Sequence, residues 1–186
     1  MQKQAVISVV TKDRPGIIAA ITKAILDAGG DIADLNQTIV CDYLTMLLGV
    51  SFSTNTDLNT VKKGLFELAS THDFEITVKE LTSGETLQRT PIPQESYILT
   101  MQGPNRSGIV HAISAICGKC KVNIIGLNTS LENDQYTMAL QLDIAHAICS
   151  TKELRQKFQA YAEFAQHTMM MQHNDIFQAT NEVTLH

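Results

Sequence analysis

The chain has 186 residues, 44% of them hydrophobic, with 14 basic against 19 acidic residues, a net charge of −5 and no tryptophan. It has no Lys/Arg run that would give it the electrostatic footprint of a nucleic-acid binder, so direct DNA binding is not expected, and no apolar run approaches a membrane span. Four cysteines are too few for a disulfide scaffold and are read as reduced thiols. The start, Met1-Gln2-Lys3-Gln4-Ala5, lacks the apolar core of a signal peptide, so a cytoplasmic protein is expected.

In chain order, Ala5 to Thr11 is a β-branched run that predicts a strand. Pro15 to Ala28 carries Ile17, Ile18, Ile21, Ala24, Ile25 and Ala28 at the spacing of one helical face, and Gly29-Gly30 stops it. Asp31 to Cys41 and Leu44 to Thr54 read as a hairpin turning at Asp42-Tyr43. Asp57 to Ser70 reads as a second helix and Glu75 to Leu81 as a closing strand. Thr82 to Glu95, with Ser83-Gly84, Pro91 and Pro93, has linker composition. The order then recurs: strand Tyr97 to Gly103, helix Gly108 to Lys119, strands Asn123 to Glu132 and Gln135 to Ile144, helix Thr151 to Phe164, strand Gln166 to His173. Phe66 and Phe158 take equivalent places in the second helix of each copy on this alignment.

The recurrence is a tandem repeat. Displaced by 92 positions, Val6 to Phe52 aligns with its copy without a gap and with 12 of 47 residues identical, against about three expected by chance. The identities include Arg14/Arg106, Gly16/Gly108, Asn36/Asn128 and Asp42/Asp134. The reading is therefore α+β: two ferredoxin-like βαββαβ domains, each a four-stranded antiparallel sheet with two helices on one face. The expected divisions are 1–88, 89–174 and a polar, partly disordered tail at 175–186, in which Ile176 and Phe177 offer an apolar contact to a neighbouring surface.

The repeated strand-loop-helix junction points free backbone NH groups outward at the positive end of a helix dipole, which attracts carboxylates. Gly16 and Gly108 allow close approach of a ligand, and Pro15 is expected in the first helical turn. Asp13 and Asn105 suit N-caps, and capping alone explains them as well as a ligand does. Asn36 and Asn128 interrupt apolar strands; they face either a ligand interface or solvent. Cys117-Gly-Lys-Cys120 matches C-x-x-C, but both cysteines replace core positions of the first copy and read as small hydrophobes. The six histidines lack metal-ligand spacing, Met169-Met170-Met171 reads as packing, and no nucleophile-base pair or phosphate-binding loop is recognisable. No catalytic residue, metal or cofactor is assigned.

The Asp13-Arg-Pro-Gly-Ile17 loop, the Gly29-Gly-Asp-Ile32 and Lys121-Val-Asn-Ile124 segments, and the duplicated βαββαβ order resemble the ACT domain, over nearly the whole chain. A chain made only of two such domains is similar to the glycine cleavage system transcriptional repressor family. That resemblance implies a small amino acid, glycine or serine first, bound between two domains side by side. One domain contributes the loop after the first strand, the other the start of the second strand. Carried over residue by residue, it points to Asn105 and Gly108 on the loop and Asn123 at the strand start. In the first copy Asp13, Gly16 and Asp31 correspond. The two aspartates depart from the pattern, because two carboxylates hold an ammonium group but repel a ligand carboxylate. The resemblance further implies a homodimer and, as output, contact with a DNA-binding transcription activator.

Two other functions fit the residues. One is a ligand-free interaction module in which the motif survives as helix capping. The other is an enzyme, or a subunit regulating one in amino-acid metabolism, with Cys117 or a histidine as its centre.

Overall fold

The computed structural model describes residues 2–82, 84–87 and 93–180. Ser83 and Pro91 of the expected linker, the expected boundary at residue 88, and the tail from 181 onward lie outside the described residues. The chain divides into two units, Met1–Thr90 and Pro91–His186.

In the first unit the elements are β1 (Lys3–Lys12), α1 (Ile17–Asp27), β2 (Gly30–Val40), β3 (Tyr43–Phe52), α2 (Leu58–His72) and β4 (Glu75–Glu80). The second unit repeats them as β5 (Ser96–Pro104), α3 (Ile109–Lys119), β6 (Asn123–Glu132), β7 (Gln135–Asp143), α4 (Thr151–Ala165) and β8 (Thr168–His173), and adds α5 (Asn174–Thr180). Each unit forms one antiparallel sheet, ordered β2-β3-β1-β4 and β6-β7-β5-β8. This is the ferredoxin-like order, with β2 and β6 at free edges.

Alternation builds each core. Leu44, Met46, Leu48, Val50 and Phe52 of β3 point to the helix side and are buried with Ile7, Val9, Ile17, Ile21, Ile25 and Leu65. In the second unit Leu99, Met101, Met138, Leu140 and Leu142 meet Ile109, Ile113, Cys117, Leu154 and Phe158. On the opposite face of the first sheet, a Cβ at Gly49 would come 2.9 Å from Leu87, so a linker residue lies against the sheet there.

Several expectations change. The hairpin turns at Cys41 and Asp42, both left-handed (φ 50° and 65°), while Tyr43 opens β3; Asn133 and Asp134 do the same in the second copy (φ 49° and 61°). These two-residue turns match the twist of the flanking strands. Helix α1 begins at Ile17, so Pro15 precedes it. The copies run 92 apart through β7 but 93 apart from α4 onward, as the starts of β3 and β7 and of α2 and α4 show. Phe158 therefore matches Leu65 rather than Phe66: Phe158 is fully buried, whereas Phe66 is 50% exposed. The tail, expected to be partly disordered, begins as helix α5, which packs on β5 and β8 from the buried Asn174.

The cysteines are not all thiols. Cys120 and Cys149 form a disulfide with Cα atoms 5.3 Å apart, leaving Cys117 buried and Cys41 exposed as free thiols. The C-x-x-C pair does not close on itself. Cys120 instead reaches the connector before α4, a stretch with no strand or helix of its own to advertise the contact.

Two predictions follow from this packing. The crosslink spans 29 residues, and in the chain-entropy account reducing it lowers the stability of the second unit by about 3–4 kcal/mol; melting with and without dithiothreitol reads this directly. Gly108→Ala, whose Cβ meets nothing within 4 Å, incurs only left-handed strain at φ 87°, about 1 kcal/mol. Gly103→Ala, whose Cβ would fall 2.6 Å from the His167 ring, is expected to cost more, within the roughly 1–3 kcal/mol of overpacking, when both are compared by chemical denaturation.

Candidate functional site

Each repeated loop leaves the central strand and enters a helix through a glycine. Gly16 (φ 93°) and Gly108 (φ 87°) are the N-caps of α1 and α3, and neither helix start receives a side-chain capping hydrogen bond. Asp13 and Asn105 therefore do not cap, and capping no longer accounts for them. Their backbones do something else: the NH of Asp13 donates to the Asp42 carbonyl at 2.8 Å and that of Asn105 to the Asp134 carbonyl at 3.2 Å. Each loop is thus tied through backbone groups to the tip of its own β-hairpin, where Asp42 and Asp134 hold left-handed positions that aspartate tolerates, and the side chains of Asp13 and Asn105 are exposed.

The loop arginines brace this end of the sheet. The Arg14 guanidinium lies 5.8 Å from the centre of the Phe74 ring, and Arg106 Nη2 donates to Gln166 Oε1 at 2.6 Å. Gln166 is the left-handed C-cap of α4, as Asp73 is of α2. Both arginines make these contacts while remaining exposed. Where the first unit has Phe74, the second has His167, 8% exposed, its ring against Gly103 and its two ring nitrogens without a hydrogen-bond partner. The change of offset from 92 to 93 residues before α4 sets His167 opposite Phe74.

The other candidates sit on the edge strands. Asp31 and Asn123 are exposed near the start of β2 and at the start of β6. Two residues later both edges carry an irregularity, between Ile32 and Asp34 and between Ile124 and Gly126. The extra residue reverses the alternation. Ile32 pairs with Val50 on the helix side, yet four residues on Asn36 pairs with Leu47 on the helix-free face; in the same way Ile124 pairs with Leu142 and Asn128 with Ala139. Strict alternation would have turned both asparagines toward the core. The repeated Ile-x-x-Leu-Asn spacing was the readable signal of this bulge.

The ladders decide which residues meet. Lys12 pairs with Tyr43 and Tyr43 with Val40, so the 13–16 loop lies at the end of β2; Lys3 pairs with Phe52 and Phe52 with Gly30, so Asp31 lies at the other end. In the second unit Pro104, Gln135 and Glu132 align at one end and Ser96, Asp143 and Asn123 at the other. At about 3.4 Å per residue, some 30 Å separates loop from strand start in each unit. Within one unit, Asn105 and Gly108 do not meet Asn123, nor do Asp13 and Gly16 meet Asp31. Two edge strands laid antiparallel would set the start of one beside the loop of the other. The edges are suited to burial: Ile39 and Val40 on β2 and Leu131 on β6 are each more than half exposed.

Cys117 is buried, which pushes its thiol up to about 11 and keeps it protonated at neutral pH. Among the described residues no three His, Cys, Asp or Glu side chains converge to hold a metal ion, and no helix is long and apolar enough to cross a membrane.

Comparison with known proteins agrees with the loop and the topology. The ACT domain family matches residues 3–79. A UPF0237 protein of Streptococcus mutans is 33% identical over 76 residues, 41% of this chain and 86% of that protein. One of Corynebacterium diphtheriae is 36% identical over 76 residues, 40% and 85% of the two chains. Among solved structures, an unknown protein from Galdieria sulphuraria superposes with a TM-score of 0.73 at 20% identity, covering 92% of this chain and 98% of that one. A structure provisionally assigned as a glycine cleavage system transcriptional repressor superposes with a TM-score of 0.64 at 17% identity, covering 92% and 97%. At these identities the superpositions establish the shared fold. With a glycine-entered helix after the first strand, a bulged second strand and the ferredoxin-like order in both halves, the chain belongs to the ACT-domain family.

Proposed function

We propose that this protein is a non-enzymatic regulator that senses a small amino acid, glycine or serine, between the second units of two protomers. The observation that carries the reading is the pairing of an uncapped, glycine-entered helix start beside exposed Asn105 with an exposed Asn123 at the far end of the edge strand. Antiparallel association of two β6 edges joins these ends twice, once at each side of a dimer. The ligand carboxylate then meets free NH groups at the positive end of α3. The two amides, each both donor and acceptor, serve the carboxylate and the ammonium group, and Asn128 lines the helix-free side of the same strand.

Regulation then follows from differential affinity. A ligand bound only by the assembled state stabilises that state, and a preference of about 1.4 kcal/mol shifts the equilibrium tenfold. The protonated, buried Cys117 offers no nucleophile, in keeping with a regulator rather than an enzyme. By analogy with the repressor assignment of the structural neighbour, the output is contact with a DNA-binding transcription activator, in the cytoplasm, in the service of glycine and one-carbon metabolism.

Asp13, Gly16, Asp31 and Asn36 form the corresponding set of the first unit. Two exposed carboxylates there favour a second reading for that half: an interaction surface without an amino acid, or a site for a cationic ligand.

A melting screen against the twenty amino acids tests the proposal. An effector at a hundred times its dissociation constant adds about 2.7 kcal/mol to the folded state, and a selective shift with glycine or serine is expected; no shift with any amino acid leaves the ligand-free module. Asn123→Ala is expected to weaken binding about tenfold or more, the loss of one charge-assisted hydrogen bond, with an unchanged circular dichroism spectrum. Leu131→Lys, which places a charge on the exposed β6 edge, is expected to shift the dimer toward monomer in sedimentation; an unshifted dimer would remove β6 from the interface.

A further inference from the structure

The disulfide sits at the corner from which Asn123 departs. Cys120 closes α3, its NH donating to the Ile116 and Cys117 carbonyls at 3.1 Å, and its own carbonyl accepts from the NH of Ile148 at 2.9 Å. Lys121 is left-handed (φ 53°), the NH of Val122 donates to the Cys117 carbonyl at 2.9 Å, and β6 starts at the next residue. Cys149 immediately precedes Ser150, the N-cap of α4. The bond therefore joins the end of α3, the connector before α4 and the start of β6.

In the first unit Ala28 and Thr56 hold the corresponding places, and a groove of about 450 Å³ lined by Ala24, Ala28, Thr56, Asp57 and Leu65 opens between α1 and α2. The crosslink thus belongs to the unit that carries Asn105 and Asn123, and not to the one that carries Asp13 and Asp31. Cys120 is buried and Cys149 only partly so, so Cys149 is the more accessible of the two residues.

We propose that the Cys120–Cys149 disulfide is a reversible redox lock that holds Asn123 in its amino-acid-binding position and releases it when reduced by a dithiol. This rests on the cytoplasmic amino-acid-sensing reading above, since disulfides of reducing compartments are mostly transient or sensing. One thiolate of the dithiol attacks Cys149 Sγ. The S–S bond breaks, its electron pair goes to Cys120 Sγ, which takes a proton, and a mixed disulfide forms at Cys149. The second thiol of the dithiol then displaces Cys149 as thiolate, so that the dithiol leaves oxidised and the protein holds two thiols. Cys117, three residues before Cys120 and protonated at neutral pH, does not intercept the exchange. Reduction frees the connector and the start of β6, and the ligand then has to order them itself, which lowers its affinity.

The test uses the full chain in two measurements. Across a series of reduced-to-oxidised glutathione ratios, mass-tagging of Cys120 and Cys149 is expected to pass from closed to open; a bond closed throughout the series overturns the proposal. By calorimetry, well below the melting temperature, the affinity for glycine or serine is expected to fall about fivefold or more on reduction, as for two coupled sites. Cys149→Ser is expected to match the reduced protein and ignore reductant, and equal affinity in the two states overturns the lock. If neither amino acid binds in either state, the sensing reading has failed by itself. Hydrogen exchange then decides the lock, with faster exchange at the Lys121 to Ile124 amides on reduction supporting it and unchanged exchange overturning it.

Discussion

An antiparallel ladder fixes which residues of this protein can ever meet. Because β1 and β2 both pair antiparallel with β3, they run in the same direction, and the loop that follows β1 lies at the end of β2 and never at its start. The same holds for β5, β7 and β6. The residues that look like a binding site by type are thereby held about 30 Å apart in each unit. In our proposal such a set is completed by a second edge strand. The exposed Ile39, Val40 and Leu131 would give that association an apolar component, and the edge backbone groups of β2 and β6 would give it a ladder.

Around that frame the two copies have diverged in chemistry more than in shape. Both keep the glycine N-cap, the bond from loop NH to hairpin tip, the left-handed two-residue turn and the edge bulge. They differ where a ligand would touch: Asp13 and Asp31 against Asn105 and Asn123. They differ also in what stiffens the corner behind the second strand, an open groove in one copy and a disulfide in the other. The asymmetry is coherent, since the crosslinked corner is the one that presents an asparagine.

Much of the fold was legible in the sequence because the repeat doubles every signal: two glycine-entered helices, two hairpins and two apolar alternations agree. The element order and both cores follow from periodicity. What was not legible has particular causes. A single inserted residue between β7 and α4 carried the alignment off by one, so Phe158 was matched to exposed Phe66 and the correspondence of His167 with Phe74 was lost. Asp13 and Asn105, able to accept a hydrogen bond, suited the N-cap as well as a ligand, whereas glycine takes the left-handed position here and no side chain caps the NH groups. The disulfide joins a helix end to a connector across 29 residues, a proximity that arises only from tertiary packing. Of the candidate site, the residue types and their repetition were readable; their separation to opposite ends of one strand was not, because it depends on strand order.

In the proposed site the amino acid is held by Asn105 of one protomer and Asn123 of another. Complementation tests it most directly: Asn105→Ala and Asn123→Ala proteins, each deficient in binding alone, are mixed and allowed to exchange subunits, and glycine or serine binding is measured by calorimetry. The account predicts that mixing restores binding at one site for each mixed dimer, because one side then combines an intact Asn105 with an intact Asn123. No recovery after verified subunit exchange would contradict it and return the site to residues of a single protomer.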